Sequence, residues 1–208
     1  MKPGPRRSVS QSDIVDAAFE ILEEKGVAAV SVRGVAGALG LTPTAMYTYF
    51  ASKNALLQAM VEHLLTGVAD ASAPDWRDRV VAIALALRAK LAEHSGSLVL
   101  VTSGPLDGPN ALSLAERLIE SFVEAGLSVD DAARAGHAVR AFVVGQSALE
   151  AARRTEPVEV SEVQPLWSDS RHPLVEQTAG LSLDDGGDEE FAALLGRLID
   201  GFTAVSVV

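Results

Sequence analysis

Hydroxyl side chains are concentrated in one short stretch near the N-terminal end of the chain, and a lysine follows them. They are Thr42, Thr44, Tyr47, Thr48, Tyr49 and Lys53. Hydroxyl groups and an ammonium group can hold phosphate oxygens, and the N-terminus of a helix adds a partial positive charge. The chemistry that this stretch indicates is therefore binding to the backbone of a nucleic acid.

Signatures of catalysis and of metal binding do not occur in the sequence. The four histidines, His63, His94, His137 and His172, share no i, i+4 spacing, and there is no cysteine, which argues against a zinc site. The acidic run at residues 184–190 lacks the spacing of an EF-hand and is expected to be a solvated loop. No P-loop or Gly-x-Ser-x-Gly motif is present. An enzyme is the alternative from another class, but the sequence predicts no enzymatic activity, metal or cofactor.

Two short helices separated by a glycine turn are predicted around the hydroxyl side chains. Ser31 can cap a helix over residues 32–39, which Gly40 ends. Thr42 followed by Pro43 is typical of a helix start, because the hydroxyl caps the first turn and proline needs no amide partner there. The helix that they open ends near Phe50 and is about 10 Å long, which fits a major groove about 12 Å wide. The pair is a predicted helix-turn-helix.

The periodicity of the apolar residues predicts helices throughout, so the fold class is all-α. The first helix is expected over residues 11–25, with a capping box from Ser10 to Asp13 and Gly26 after its end. Further helices are predicted at 53–71, 76–94, 109–125, 129–154 and 173–180, with a last one ending near Val205. Loops are predicted at 103–109, 155–165 and 184–190, where glycine, proline or acidic residues collect.

The formal net charge of −11 is distributed unevenly along the 208 residues. Residues 1–65 carry six basic and six acidic side chains, whereas residues 66–208 carry eleven basic and twenty-two acidic ones. All of the negative excess therefore lies in the second part. An acidic total opposes attraction to phosphate at long range but does not decide what one local surface binds. The charge pattern predicts two functional parts.

The chain lacks the sequence features of an exported or membrane protein. No apolar stretch approaches the roughly 18 residues of a membrane helix, and the basic first residues lead into no apolar signal segment. The absence of cysteine fits a reducing compartment, so a cytoplasmic location is expected. The basic tail formed by Lys2, Arg6 and Arg7 is either a solvated terminus or an arm that reaches phosphates or the minor groove.

The segment SVRGVAGALGLTPTAMYTYFASKNALLQAM resembles the DNA-binding domain of the tetracycline-repressor (TetR) family of bacterial transcriptional regulators. The matching residues are Ala36, the Gly40-Leu41 turn, the block from Tyr47 to Phe50, Lys53 and Leu56-Leu57. Four later segments are similar to the C-terminal domain of tetracycline repressors: DWRDRVVAIALALRAKLAEH, GPNALSLAERLIESFVEAGLS, AFVVGQSALEAARR and EFAALLGRLIDGF. The resemblance implies a three-helix DNA-binding domain over residues 1–60 and an effector-binding and dimerisation domain over residues 61–208.

Carried over by position, the resemblance implies nine DNA-facing residues: Arg33, Thr42, Pro43, Thr44, Ala45, Tyr47, Thr48, Tyr49 and Lys53. Base edges would be contacted by Pro43, Thr44, Ala45 and Thr48, and phosphates would be held by Tyr47, Tyr49 and Lys53. Met46 and Phe50 are expected to pack in the core. The partner implied is a double-stranded operator with inverted-repeat symmetry, bound by a homodimer. The alternative for these helices is a hairpin that serves packing alone.

The resemblance also implies a small-molecule effector that is held among the C-terminal helices and releases a repressor from DNA. The ligand-binding residues that it indicates are Ile83, Leu87, Val101, Thr102, Pro105, Leu118, Phe142 and Gln146. Apolar residues stand where a magnesium–tetracycline complex would need polar donors, at Ala69, Ile83, Leu87, Val101, Pro105 and Leu118. We therefore expect a largely apolar ligand that needs no metal. The alternative is a regulator controlled by a protein partner or without a small ligand.

Two helices are expected to form the dimer interface. The helix at 129–154 carries small residues, namely Ala132, Ala133, Ala135, Gly136, Ala138, Ala141, Gly145 and Ala148. The last helix carries large apolar residues, namely Leu194, Leu195, Leu198, Ile199 and Phe202. In the family that the chain resembles, the matching helices form a four-helix bundle across a two-fold axis.

Overall fold

A computed structural model describes residues 9–104, 106–155, 173–178 and 187–204. Over these ranges the chain forms ten α-helices and two short 3-10 turns, without a strand, which confirms the all-α prediction. The helices are α1 (Gln11–Lys25), α2 (Val32–Ala38), α3 (Pro43–Tyr47), α4 (Lys53–Leu64), α5 (Trp76–Glu93), α6 (Leu98–Ser103), α7 (Pro109–Glu124), α8 (Val129–Thr155), α9 (Pro173–Thr178) and α10 (Gly187–Ala204). The 3-10 turns are Val68–Asp70 and Ser95–Ser97.

Two helices in the N-terminal half end earlier than the sequence predicts. Helix α3 ends at Tyr47 and not near Phe50, because the backbone beyond it closes in turns. Helix α4 ends at Leu64, because Gly67 at φ +77° interrupts the helical backbone before the 3-10 turn that follows. In each case the helix ends at a local turn, which the spacing of apolar residues does not predict.

Two elements elsewhere also differ from the prediction. Helix α6 is not among the predicted helices, because its apolar run at residues 98–101 carries no 3.6-residue period. The acidic residues Asp188, Glu189 and Glu190, predicted to lie in a loop, form the first turn of α10. Carboxylates are favourable there because the N-terminus of a helix is partly positive. Thr155, predicted to begin a loop, is the last residue of α8, and residues 156–165 of that loop, the basic tail and residues 184–186 lie outside the described ranges.

The helices group into two compact units that alternate along the chain. The first contains the residues up to Asp70 and Ala89–Arg117, and the second contains Ala71–Arg88 and the chain from Leu118 onward. Helices α5 and α7 therefore have residues in both units. The predicted boundary at residue 60 divides the chain by function, whereas the two units are divided by packing. The boundary therefore stays a prediction.

The first unit is built around the apolar face of α1. The Ser10 hydroxyl accepts a hydrogen bond from the Asp13 amide at 3.1 Å, and the Asp13 carboxylate accepts one from the Ser10 amide at 2.7 Å, which confirms the capping box. Ile14, Ala18 and Leu22 are buried where α1 packs against α2 and α4. These contacts give the short helices that follow α1 a rigid support.

Arginines of α5 join it to α8 and α10 in the second unit. Arg77 donates to the Asp200 carboxylate at 2.9 Å, and this hydrogen bond lowers the pKa of Asp200. Arg88 donates to Glu150 of α8 at 2.9 Å and also to Asp188 of α10. The guanidinium of Arg88 and the Glu150 side chain expose only 16% and 19% of their surfaces, so this ion pair is mostly shielded from water.

Candidate nucleic-acid interface

Helices α2 and α3 form the predicted helix-turn-helix. Gly40 reverses the chain between them at φ +65°, a conformation that glycine adopts without steric cost. The Thr42 hydroxyl accepts a hydrogen bond from the Ala45 amide at 3.2 Å, and Pro43 occupies the first helical position. Thr42 and Pro43 therefore start the helix as the sequence predicts, and they determine where α3 begins.

One side of α3 is buried and the other is exposed. Met46 is completely buried and Phe50 exposes 6% of its surface, which confirms both as core residues. Thr44 and Thr48 are exposed, and Tyr47 exposes 49% of its surface. A packing-only hairpin gives no reason for a tyrosine ring to stand in solvent. The exposed side of α3, with Thr42 and Pro43 at its start, is a surface available to a partner.

Two residues predicted to hold phosphates make hydrogen bonds within the chain. The Tyr49 hydroxyl donates to the Val9 carbonyl at 2.9 Å, and the Lys53 ammonium donates to the Val27 carbonyl at 3.1 Å. Because Val9 precedes α1 and Val27 follows it, the two bonds hold both ends of α1 to the segment after α3. Tyr49 uses its single O–H in this way, whereas Lys53 keeps two further N–H donors for a phosphate.

The other polar groups on and beside the exposed side of α3 differ in their charge and in the hydrogen bonds that they can make with a partner. The Thr48 hydroxyl donates to the Ala45 carbonyl at 2.6 Å, so its oxygen remains available as an acceptor. In the major groove such an acceptor suits the amino groups of adenine or cytosine. Arg33 is exposed on α2, and Ala45 is half-buried. The surface therefore combines one cation on α2, hydroxyl groups on α3 and the ammonium at the start of α4.

The carbonyls of Val9 and Val27 belong to this arrangement although the sequence analysis does not single them out. Every residue carries a backbone carbonyl, so no residue type marks an acceptor. Only the fold, which brings residues 40 and 26 positions apart into contact, identifies these two partners.

The predicted ligand-binding residues lie in both units. In the second unit, Ile83, Leu87 and Leu118 are almost completely buried, and Phe142 and Gln146 are half-buried. The first two lie on one face of α5 together with Val80 and Leu91, and all four of these residues are buried.

The remaining predicted ligand-binding residues belong to α6 and the loop after it. Val101 is half-buried, whereas Thr102 is exposed and its hydroxyl donates to the Leu98 carbonyl at 2.9 Å. That bond occupies the only hydrogen that Thr102 could offer a ligand. Pro105 lies outside the described residues.

Comparison with known proteins assigns the chain to a family. Residues 14–60 match the family described as bacterial regulatory proteins, tetR family, and residues 69–206 match the tetracyclin repressor-like C-terminal domain. The chain belongs to the TetR family. It is therefore a DNA-binding transcriptional regulator with a helix-turn-helix, as its resemblance implies. Within the described ranges, no helix is long and apolar enough to cross a membrane, and no cluster of three or more candidate ligands could hold a metal ion.

Relatives in the TetR family match both parts of the chain. The class A tetracycline repressor of transposon 1721 from Escherichia coli is 30% identical over 196 residues, which cover 90% of this chain and 88% of that repressor. An HTH-type transcriptional regulator of Saccharopolyspora erythraea is 32% identical over 148 residues. That match covers 70% of this chain and 63% of the regulator, so the chain spans less than two thirds of its length.

Solved TetR-family structures share the fold. A possible TetR-family regulator of Streptomyces coelicolor A3(2) superposes with a TM-score of 0.79 at 33% identity, covering 94% of this chain and all of that one. BioQ, solved with its natural double-stranded DNA operator, has a TM-score of 0.65 and is 26% identical, covering 95% of this chain and 99% of that one. Both likenesses agree with an N-terminal helix-turn-helix followed by a C-terminal helical domain.

Proposed function

We propose that this TetR-family regulator is a repressor that binds an inverted-repeat operator as a homodimer and is released by a small, largely apolar molecule. The observation that carries operator recognition is the exposed side of α3, where Thr44, Tyr47 and Thr48 face solvent above the buried Met46. The major groove admits such a helix. BioQ, which binds a double-stranded operator, supports this role for the matching region. A repressor that acts on a bacterial genome would work in the cytoplasm, which is the location that we propose.

Lys53→Ala should weaken binding to all DNA sequences alike and reduce the salt dependence of binding by about one counterion per subunit. The reason is that Lys53 has two N–H donors beyond its bond to Val27. The measurement is a gel-shift titration of the operator at several salt concentrations. Thr48→Ala serves as the contrast, because it should alter base preference and leave the salt slope unchanged. An unchanged slope in Lys53→Ala would contradict the phosphate role.

The proposed dimer rests on a side of α8 that is exposed among the described residues and carries small residues. Three of the predicted small residues, Ala132, Ala135 and Gly136, are buried within their own chain and so do not line that side. Of the other predicted small residues, Ala138 is half-buried, whereas Ala133, Ala141, Gly145 and Ala148 are exposed along one face of the helix, which His137 shares. A face of this kind allows a second helix to approach closely.

Helix α10 offers a second surface for the proposed dimer, and this surface carries large apolar side chains. It buries Phe191, Leu195 and Ile199 against its own unit, in which it packs on α8. Burial of Leu195 and Ile199 within their own chain removes both from the predicted interface, whereas Leu194, Leu198 and Phe202 remain half-exposed. Two helices per subunit would complete a four-helix bundle across a two-fold axis.

Ala141→Arg should convert the dimer to a monomer at micromolar concentration and abolish tight operator binding. Because both subunits contribute the same face to an isologous interface, each new arginine would be buried against small residues of the other subunit, where it loses water without gaining a counter-charge. Sedimentation velocity measures the change. Ser113→Arg, at an exposed position of α7, is the matched control and should leave the dimer intact. A stable dimer in Ala141→Arg would place the interface elsewhere.

The proposed ligand is apolar because the matching positions offer burial and few donors. Ile83, Leu87 and Leu118 are apolar and buried, whereas a metal-bound, polar drug requires imidazole and amide groups. A ligand of this kind binds chiefly by removing apolar surface from water. It releases the repressor if it binds more tightly to the DNA-free state than to the DNA-bound state.

Hydrophobic compounds that raise the melting temperature of the repressor should release it from the operator equally well with and without EDTA. A screen by thermal shift followed by gel shift measures both effects. Release that requires magnesium would contradict the apolar-ligand proposal. A screen in which no compound binds, while a protein from the same cell releases the operator, would favour control by a protein partner.

A further inference from the structure

Helix α4, which follows the recognition helix α3, is tied to the start of α7 by hydrogen bonds within the first unit. The Glu62 carboxylate accepts from the Asn110 amide at 2.7 Å and from the Ala111 amide at 3.2 Å. The Asn110 side chain donates to the Glu62 carbonyl at 2.8 Å, and one turn earlier Gln58 donates to Asp107 at 3.0 Å. These four bonds connect the C-terminal half of α4 to residues 107–111.

Glu62 acts as a helix cap that comes from a different helix. The amides of Asn110 and Ala111 lie in the first turn of α7, where no preceding carbonyl in the helix can accept from them. A carboxylate satisfies such donors strongly, because its hydrogen bonds are charge-assisted and the N-terminus of the helix is partly positive. The position of Glu62 is therefore determined by two amides on a separate helix.

Gly108 makes this contact possible. It is buried, and a Cβ atom built at this position would overlap the carboxylate and side-chain carbons of Glu62. Gly104 is required by the end of α6 and not by α4, because a Cβ there would overlap the Leu100 carbonyl and would make only ordinary contact with Val61. Within the predicted loop at residues 103–109, Gly108 is thus the glycine that allows α4 to approach this part of the chain.

We propose that Glu62 is a positioning residue for operator recognition, which fixes the direction of α4 and so the half-site spacing that the dimer accepts. This inference rests on the proposed binding of an operator by a dimer. Helix α4 has 12 residues and is about 18 Å long. Because Lys53 lies nine residues, or about 14 Å, from Glu62 along the helix, a tilt of about 15° at Glu62 would displace the Lys53 end by about 3.5 Å, which is close to the rise of one base pair, about 3.4 Å. A small loosening of the cap is therefore enough to weaken the preference of the dimer for one half-site spacing.

Glu62→Gln and Gly108→Ala test the contact from its two sides. Glutamine keeps the length of the Glu62 side chain but removes its charge. Alanine at position 108 leaves Glu62 chemically unchanged but displaces its side chain by steric overlap. Glu116→Gln, an exposed carboxylate on α7, is the matched control. Circular dichroism and thermal unfolding establish that each variant is folded, and hydrogen exchange of the Asn110 and Ala111 amides reports directly on loss of the cap.

The decisive measurement compares affinities for operators whose half-sites are separated by the selected spacing or by one or two base pairs more or fewer. We expect the wild type to prefer the selected spacing at least tenfold, and each test variant to reduce that preference at least threefold. Because both substitutions remove the same contact, the double variant should lose no more than either single variant. The control should keep the full preference. A merely structural role would weaken binding at every spacing equally.

The outcomes separate this inference from the proposed function. Operator binding by the wild type with an unchanged spacing preference in both test variants would overturn the role of Glu62 alone. Uniform weakening at all spacings would overturn it as well. Failure of the wild type to bind any double-stranded operator as a dimer would overturn the proposed function, and this inference with it.

Discussion

Met46→Ala should abolish operator binding and lower the free energy of unfolding of the DNA-binding region by about 2–5 kcal/mol. Met46 is completely buried and is the buried residue of α3. A helix of five residues is not stable in isolation, so it depends on its contacts with the rest of the fold. Removing this anchor leaves a cavity beneath the helix that presents Thr44, Tyr47 and Thr48. Urea unfolding and gel shift measure the two effects.

Two matched variants separate loss of the anchor from loss of a DNA contact. Met46→Leu conserves volume and should cost less than about 1.5 kcal/mol. Thr44→Ala changes an exposed residue of the same helix and should alter stability by no more than about 0.5 kcal/mol. If Met46→Ala unfolds at the urea concentration of the wild type, the proposed dependence of α3 on this side chain is wrong.

Arg88→Met should lower the free energy of unfolding of the second unit by about 3 kcal/mol. The Arg88 guanidinium pairs with Glu150, and both side chains are mostly shielded from water. It also lies 5.1 Å from the centre of the Phe191 ring, where a cation is attracted to the aromatic face. One side chain of α5 thus stabilises contacts with both α8 and α10. Chemical unfolding followed by Trp fluorescence measures the loss.

The control for Arg88 is a lysine on the same helix. Lys90 pairs with Glu93 at 3.1 Å on the surface, so Lys90→Met should cost less than about 1 kcal/mol. The double variant Arg88→Met, Glu150→Gln should recover part of the lost stability, because it no longer holds an anionic carboxylate in a shielded position. Equal losses in Arg88→Met and Lys90→Met would show that shielding does not matter at this pair.

The parts of the fold that can be predicted from the sequence are those with local causes. The cap at Ser10 and the Thr42-Pro43 start each involve residues within a few positions of one another, so their spacing is visible in the chain. The buried side of α3 follows from the same local register at Met46 and Phe50. Local rules therefore locate the recognition helix and orient it.

The remaining features depend on contacts that join distant parts of the chain. The Tyr49 hydroxyl donates to the Val9 carbonyl, 40 residues away, and its role in holding phosphate stays a prediction. Glu62 caps a helix that begins 47 residues further along, and its type alone does not distinguish it from any solvated glutamate. Backbone acceptors and donors have no residue signature, so tertiary structure is needed to find such partners.

The separation between the buried Met46 and the exposed Thr44, Tyr47 and Thr48 has a consequence for how this lineage can change. Under the proposed function, substitutions at the three exposed positions alter the DNA sequence that the helix binds at almost no cost in folding stability, because exposed side chains contribute little to stability. The anchor, the cap at Thr42 and the turn at Gly40 can stay constant while the reading surface varies. A duplicated gene could thus acquire a new operator by drift at three codons, with every intermediate still folded. The DNA sequence that such a regulator binds can therefore change in evolution while its fold is retained.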